Sequence, residues 1–225
     1  MAVVRRPAAI VWDFDGTLAE TRAAVSTTLN AALLQVGLPR VHPPFIHAGM
    51  GLPLEQLIAR LVPPTVRPAP VAEIAAAYRA LFPALGAPLV TWMPGLPEAL
   101  DRLLAEGVVA GIASSRERGS LAALLDQLGG AGRFVAVVGC EDAVAGKPAP
   151  DLLRVALARM GLRAADVWMV GDTEWDIAMA RAAGVRSVGL VGGCHDASRL
   201  RAAGPDAVVD DVDALVHAVL GGDDV

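Results

Sequence analysis

The sequence has little of what marks several protein classes. Its 225 residues include two cysteines and 4% aromatic residues, and two cysteines are too few for a disulfide scaffold. No apolar run approaches the ~18–20 residues of a membrane-spanning helix, and the first one ends in two aspartates instead of a small-residue cleavage site. Acidic residues outnumber basic ones, 24 to 19, which argues against a nucleic-acid-binding face. We expect a soluble, cytoplasmic globular protein.

Lysine is almost missing. Of the 19 basic residues, Lys147 is the single lysine and the rest are arginine. A GC-rich genome accounts for the preference for arginine, but it does not account for one retained lysine. Because an ammonium group is a compact point charge that a guanidinium cannot replace, Lys147 is a candidate functional residue.

Short apolar runs alternate with helical patterns along most of the chain. Runs rich in Val, Ile and Ala predict parallel strands at Ala8–Trp12, Val108–Ala113, Phe134–Val138, Val167–Val170, Val185–Val191 and Ala207–Val209. Helical periodicity predicts helices at Gly95–Glu106, Arg118–Leu128, Pro150–Met160, Asp176–Ala183 and Asp213–Leu220. Strands covered on both faces by intervening helices are typical of an α/β fold with a doubly wound, Rossmann-like parallel sheet.

Residues from about Glu20 to Leu89 interrupt the alternation. They contain no convincing strand, and proline clusters separate helical patterns at Arg22–Gln35, Pro53–Leu61 and Val71–Leu81. We interpret this stretch as an inserted small α-helical cap domain of residues 19–89, on a core formed by residues 1–18 and 90–225. The alternative is that these helices pack on the sheet as its first crossover.

Carboxylates follow two of the predicted strands, at the edge where open parallel sheets bind ligands. Asp13 and Asp15 are two residues apart, so both side chains project to one side and need a cation or a proton between them. Asp172 and Asp176 follow another strand, and Asp176 falls in the first turn of the next helix. Carboxylate oxygens are ligands that Mg²⁺ prefers. Plain helix capping is the alternative for each pair.

Groups suited to binding an anion follow two further strands. Ser114 and Ser115 precede a helix predicted from Arg118, and hydroxyl and N–H groups at a helix start can hold an anion. Lys147 lies in a Gly-Lys-Pro turn from which it can reach the same edge and balance negative charge. The alternatives are an N-cap pair for the serines and a solvated surface position for Lys147.

Four motifs now stand in order: W-D-F-D-G-T-L, I-A-S-S, G-K-P-A-P-D and V-G-D-T-E-W-D-I. In order and rough spacing they resemble the four motifs of the haloacid dehalogenase superfamily, over nearly the whole chain. The helical insertion after the first motif makes the chain most similar to the phosphoglycolate phosphatase-like branch. The resemblance implies a Mg²⁺-dependent phosphatase acting on a small-molecule phosphomonoester such as phosphoglycolate, a sugar phosphate or a nucleotide.

The resemblance also implies a role for each motif residue. Asp13 corresponds to the nucleophile that forms an aspartyl-phosphate, and Asp15 to the general acid and base. The phosphate-binding positions correspond to Gly16, Ser114, Ser115 and Lys147. The magnesium-binding positions correspond to Asp13, Asp15, Asp172 and Asp176.

Substrate choice is expected in the cap, which closes over the site. His47 and Gly51 are our candidates for substrate selection, and His42, Arg60 and Arg67 are further cap residues that can contribute. One departure from the family pattern concerns the second motif, where Ser115-Arg116 replaces the Asn-Lys pair of many relatives.

Other activities fit less well. A dehalogenase lacks the second aspartate, a phosphonatase needs a cap lysine, and a phosphosugar mutase usually has Arg-Lys before a cap glycine where this chain has Ile46-His47-Ala48-Gly49. A receiver-like signalling module lacks the D-x-D-G-T signature, and a catalytically idle ligand-binding relative is separable only by assay. We expect a small-molecule phosphate ester as the partner, no nucleic acid or membrane, and a monomer or homodimer.

Overall fold

A computed structural model describes residues 6–63, 66 and 70–221. Arg67 therefore lies outside the described residues. The strands are β1 (Ala9–Trp12), β2 (Ala19–Glu20), β3 (Thr91–Trp92), β4 (Val109–Ala113), β5 (Ala136–Val138), β6 (Val167–Gly171), β7 (Arg186–Leu190) and β8 (Ala207–Val209).

Ten α-helices occur among the described residues. They are α1 (Arg22–Gln35), α2 (Pro43–His47), α3 (Leu54–Leu61), α4 (Val71–Leu85), α5 (Leu96–Ala105), α6 (Arg118–Gln127), α7 (Asp151–Met160), α8 (Glu174–Ala183), α9 (Ala197–Ala202) and α10 (Val212–Leu220). Short 3₁₀ segments lie at Ala87–Leu89, Cys140–Asp142 and Ala164–Asp166. None of these helices has the length and apolar character that crossing a membrane requires.

Six strands form one sheet in the order β5-β4-β1-β6-β7-β8, with every pairing parallel. β1 lies between β4 and β6, with Val11 opposite Gly111 on one side and Met169 on the other. The chain then continues outward to β5 on one side and to β7 and β8 on the other. The order therefore reverses beside β1, which leaves a crevice at the carboxyl ends of β1, β4 and β6. The predicted doubly wound α/β fold is confirmed.

Alternation along β1 explains why its sequence is continuously apolar. Ile10 and Trp12 pack into one hydrophobic core, which includes side chains of α5 and α10. Ala9 and Val11 point to the other face, where α7 and α8 form a second core. Both faces of the strand are thus covered. This packing holds the carboxyl end of β1 in place, and Asp13 is the next residue.

The four helices α1–α4 lie between two very short strands. β2 and β3 form an antiparallel ribbon in which Ala19 is opposite Trp92 and Glu20 is opposite Thr91. The prediction that this stretch holds no strand was wrong at Glu20, because two-residue strands carry no alternation that a sequence pattern can reveal. We call helices α1–α4 and the segments that join them the cap; that they form a separate domain of residues 19–89 stays a prediction.

Helix boundaries in this region also differ from the prediction. α4 continues to Leu85 instead of ending at Leu81, so Pro83 lies inside it. Proline removes one backbone hydrogen bond from a helix, but Tyr78 and Phe82 of α4 are buried in the core, and tertiary packing overrides the local signal. α2 and α9 were not predicted, because five or six residues are too few to show a helical period.

Candidate active site

The two aspartates after β1 each have a cation of their own. Lys147 Nζ lies 2.6 Å from Asp13 Oδ1, and Arg116 Nη2 lies 2.6 Å from Asp15 Oδ1. The strand ends at Trp12, so the residues that follow are free to turn their carboxylates toward different partners. The repulsion expected between two neighbouring carboxylates is relieved in this way.

Three buried carboxylates meet where β1 and β6 end. Asp13, Asp172 and Asp176 place one oxygen each within 4.8 Å of one another, and none is more than 1% exposed. Lys147, which is completely buried, lies 2.6 Å from Asp13 and 2.7 Å from Asp176. With all three carboxylates ionised, the one ammonium leaves two negative charges on buried groups, which is costly.

Neighbouring groups orient two of these carboxylates. Asp172 Oδ1 accepts a hydrogen bond from Thr17 Oγ1 at 2.8 Å, and its Oδ2 accepts one from the Cys194 N–H at 2.6 Å. Asp176 closes a capping box at the start of α8, where its Oδ2 accepts from the N–H and hydroxyl of Thr173. Asp176 therefore uses one oxygen to cap α8 and the other to hold Lys147.

Burial and the charges within the cluster shift the pKa values of Asp13, Asp172 and Lys147. Burial raises the pKa of Asp13 well above its ordinary value; Lys147 opposes this shift, and the charges of Asp176 and Asp172 add to it. Burial and the charge of Asp176 raise the pKa of Asp172 to about 6. Burial disfavours the ammonium of Lys147, but Asp13 and Asp176 outweigh it and raise the pKa of Lys147.

A divalent cation fits this cluster. Asp13 Oδ2 is buried and has no hydrogen-bond partner, so one carboxylate oxygen is left for a ligand. Two positive charges would cancel the two excess negative charges, and the donors are oxygens of the kind that Mg²⁺ takes. Asp13 and Asp172 offer the oxygens, while Asp176 supports them through Lys147.

Two glycines leave room for this arrangement. Gly16 adopts a φ of +84°, and a Cβ there would overlap the Asp172 carboxylate. Gly51 adopts a φ of +91°, and a Cβ there would crowd Thr173 and Trp175. The loop of Gly51 thus lies against the loop that carries Asp172.

The second motif joins the core to the cap. Ser114 is buried, and its Oγ accepts a hydrogen bond from the Arg116 N–H at 3.2 Å. The Ser115 hydroxyl donates to the Gly51 carbonyl at 2.7 Å. The N-cap of α6 is Glu117, so the alternative that the two serines cap this helix was wrong.

The family predicted from the four motifs agrees with this geometry. A family model described as haloacid dehalogenase-like hydrolase matches residues 10–190. This chain belongs to the haloacid dehalogenase-like hydrolases.

Relatives along the whole chain carry related names. A protein of Dickeya dadantii named "Probable phosphatase IndB" is 32% identical over 216 residues, which cover 94% of each chain. A phosphoglycolate phosphatase of Yersinia pseudotuberculosis is 29% identical and covers 93% of this chain and 92% of its own. The crystal structure of a hydrolase from Pseudomonas syringae has a TM-score of 0.83 at 25% identity, covering 94% of this chain and 97% of that one.

Arg116, which follows Ser115 in the second motif, lies between core and cap. Besides its contact with Asp15, its guanidinium donates a hydrogen bond to Ser120 Oγ at 3.2 Å. It stacks 4.4 Å over the ring of Phe82. Burial disfavours its charge, but the Asp15 carboxylate outweighs burial and raises the pKa of Arg116. One side chain thus ties the Asp15 carboxylate to helix α4.

A cavity of about 560 Å³ lies between the cap and the core. Its lining includes Asp13, Asp15 and Ser114 from the core and Gly51 from the cap. His47 is not part of this lining; its Nε2 lies 2.9 Å from Ser26 Oγ, and burial lowers its pKa. Of the two candidates for substrate selection, the structure brings only Gly51 to the cavity.

The remaining cap candidates are also placed away from the cavity. His42 is exposed at the start of α2, and the guanidinium of Arg60 stacks 4.9 Å over the ring of Trp175.

The sequence analysis missed several residues that support the site. Thr17 and Thr173 orient carboxylates of the cluster. Thr173 directly follows Asp172 and Thr17 is two residues after Asp15, which is the signal that could have drawn attention to them. Cys194 donates its backbone N–H to Asp172, a contact that no side-chain pattern reveals. Tyr78, the single tyrosine of the chain, could have been noticed for its rarity.

We expect Mg²⁺ to stabilise the protein by relieving the charge of the three-carboxylate cluster. Millimolar MgCl₂ near neutral pH should raise the Tm by several degrees, at about 2–4 °C for each kcal/mol of binding free energy. Asp172→Asn should abolish most of that rise, because the amide can still bond Thr17 and the Cys194 N–H but offers no charge. Differential scanning calorimetry with MgCl₂ or EDTA measures both.

The rise in Tm caused by Mg²⁺ should also depend on pH. Because the folded-state pKa of Asp172 is raised to about 6 from 3.8, the metal-free protein loses stability as the pH rises through that interval. The Mg²⁺-induced rise in Tm should therefore shrink as the pH is lowered below about 6. An equal rise at all pH values, or one retained in Asp172→Asn, would contradict the assignment of the cluster.

Arg116→Met should destabilise the fold by about 3–5 kcal/mol, because it leaves the Asp15 carboxylate without its cation in a mostly buried position. In the double variant Asp15→Asn/Arg116→Met the loss should be smaller than the sum of the single losses. Urea unfolding of the wild type, of the single variants Arg116→Met and Asp15→Asn, and of the double variant measures the coupling between the two residues. Arg102→Met, which removes an exposed 4.0 Å contact with Asp213, is the control and should stay within about 0.5 kcal/mol. Additive losses would show that the pair is not coupled.

Proposed function

We propose that this hydrolase is a Mg²⁺-dependent phosphatase that hydrolyses a small-molecule phosphomonoester through an aspartyl-phosphate intermediate. The observation that carries the proposal is the environment of Asp13, whose one oxygen is held by a buried lysine while the other has no partner. The relatives named as phosphatases support the same class of reaction. A cytoplasmic location and a monomeric or homodimeric state also belong to this proposal.

Asp13 is placed to act as the nucleophile. One carboxylate oxygen attacks the phosphorus, the new O–P bond forms as the ester P–O bond breaks, and the alcohol leaves. Lys147 keeps the carboxylate oriented and offsets the charge of the transferred group. Phosphoryl transfer depends mainly on such positioning and neutralisation.

Asp15 acts on the leaving group and then on water. It donates a proton to the departing alkoxide in the first step and takes one from the attacking water in the second. The second step breaks the bond between Asp13 and phosphorus and releases inorganic phosphate. Both Asp13 and Asp15 line the cavity, so a bound ester can reach the two carboxylates together, and the Arg116 pair fixes the direction of Asp15.

The phosphate group is held by the residues around this point. Ser114 offers its hydroxyl at the cavity wall. The hydroxyl of Ser115 is used by the Gly51 carbonyl, so we assign its backbone N–H to the phosphate, and likewise that of Gly16. Lys147 provides the positive charge.

The carboxylates of Asp13 and Asp172 and the backbone carbonyl of Asp15 would hold the magnesium ion. When bound, Mg²⁺ neutralises carboxylate and phosphoryl oxygens and allows an anionic nucleophile to approach an anionic ester. Asp176 holds Lys147 and the start of α8, and it supports the site without using a free oxygen of its own.

Asp13→Asn should lower phosphate release by at least about 10³-fold, because an amide is a far poorer nucleophile than a carboxylate. Release from a panel of phosphomonoesters is measured with Mg²⁺ and with EDTA, for the wild type and the variant. Circular dichroism checks that the variant is folded. Mg²⁺-dependent release by a clean preparation of Asp13→Asn would remove the nucleophile assignment.

Lys147→Arg should lower kcat/KM by at least about 100-fold although charge is kept. The completely buried site between Asp13 and Asp176 fits a single ammonium nitrogen, and a planar guanidinium needs more room. Arg154→Lys, an exchange of the same two residue types at an exposed position of α7, is the control and should keep wild-type kcat/KM. Near-normal activity of Lys147→Arg would mean that the lysine is only tolerated.

A further inference from the structure

The cavity between cap and core is much larger than a phosphate group needs. Its volume of about 560 Å³ is within the range of pockets that enclose whole organic ligands. Asp13, Asp15 and Ser114 line the same cavity as the apolar side chains described below. An ester whose phosphate lies at these three residues would therefore have its leaving group in the remaining space.

Most of the cavity wall is apolar. Side chains from α1, from the segment around α3, from α4 and from α6 contribute Val25, Leu52, Leu54, Leu57, Phe82 and Leu124. Burying an apolar group of a ligand against these side chains would be favourable, whereas burying a charged group against them would not.

The charged groups of the wall are already paired with one another. Arg79 Nη2 lies 2.7 Å from Glu55 Oε1, and its Nε lies 2.5 Å from Glu117 Oε1. Arg116 is held by Asp15. Among the described lining residues, each arginine therefore has at least one carboxylate partner, and a carboxylate on the substrate would have to displace one of them.

The uncharged polar groups of the wall are used as well. The Ser115 hydroxyl donates to the Gly51 carbonyl, Ser120 Oγ accepts from Arg116, and the Gln127 amide donates to the Ala87 carbonyl at 2.8 Å. Because each of these groups already makes one hydrogen bond, a leaving group with several hydroxyls would find few groups to replace its hydrogen bonds to water.

We propose that the substrate is a phosphomonoester whose leaving group is an uncharged, largely apolar alcohol with a ring or a chain of similar size. This inference rests on the proposed phosphatase activity and names its substrate class. It disfavours glycolate, which is small and carries a carboxylate, and it disfavours polyhydroxylated sugars.

A series of esters with similar chemical reactivity tests the proposal. The esters are ethyl phosphate, 2-phenylethyl phosphate, glycerol 3-phosphate and phosphoglycolate, each assayed for kcat/KM with Mg²⁺. We expect kcat/KM for 2-phenylethyl phosphate to exceed that of each of the other three by at least tenfold. Binding of the non-hydrolysable 2-phenylethylphosphonate should likewise be at least tenfold tighter than that of ethylphosphonate by isothermal titration calorimetry.

Two neighbouring alanines of α6 provide a matched pair of variants. Ala122 and Ala123 are both exposed, but only Ala123 lines the cavity. Ala123→Phe should fill part of the cavity and reduce the kcat/KM ratio of 2-phenylethyl phosphate to ethyl phosphate at least fivefold. Ala122→Phe adds the same side chain outside the cavity and should leave the ratio unchanged.

The outcomes separate the two proposals. If none of the esters is hydrolysed with Mg²⁺, the phosphatase proposal fails, and the substrate assignment fails with it. If esters are hydrolysed but phosphoglycolate, glycerol 3-phosphate or ethyl phosphate equals or exceeds 2-phenylethyl phosphate, the phosphatase proposal stands and the apolar leaving group is wrong. A ratio that Ala122→Phe and Ala123→Phe change equally would also overturn the assignment of the cavity.

Discussion

Lys147 shares a buried space with three carboxylates, so that one positive charge faces three negative ones. The organisation of the site follows from this imbalance of charge. The lysine neutralises one charge and leaves two, which a folded protein tolerates only with protons or a divalent cation. Thr17, Thr173 and the Cys194 N–H keep the carboxylates in place. The parallel sheet makes the imbalance possible, because it ends β1 and β6 side by side and brings distant acids together.

A second pair, Asp15 with Arg116, lies beside this cluster and has its own balance of charge. Its cation comes from the loop after β4 and rests on Phe82 of α4. The Asp15 carboxylate is thus linked to α4 through one guanidinium, while the Asp13 carboxylate is linked to Lys147 in the core. A displacement of α4 would therefore act on the position of Asp15 and leave the contacts of Asp13 in place.

The sequence alone predicted that side chains following different strands would lie close together. Asp13, Lys147 and Asp172 follow apolar runs, and parallel pairing brings the ends of those runs to one edge. The contact between Asp15 and Arg116 could not be predicted from the sequence. It joins residues 101 positions apart, and it depends on side-chain directions that no sequence pattern records. The cavity was equally hidden, because its wall is assembled from separate helices and its character depends on which polar groups are paired with one another.

The ribbon of β2 and β3 has a consequence for the evolution of such enzymes. The chain leaves the sheet domain at Glu20 and returns at Thr91, and these two residues are paired partners in the ribbon. The exit and the return are thus one strand spacing apart, whatever lies between them. An inserted segment of different length or sequence would leave this spacing unchanged, so the part of the chain between Glu20 and Thr91 can vary without moving the strands of the large sheet.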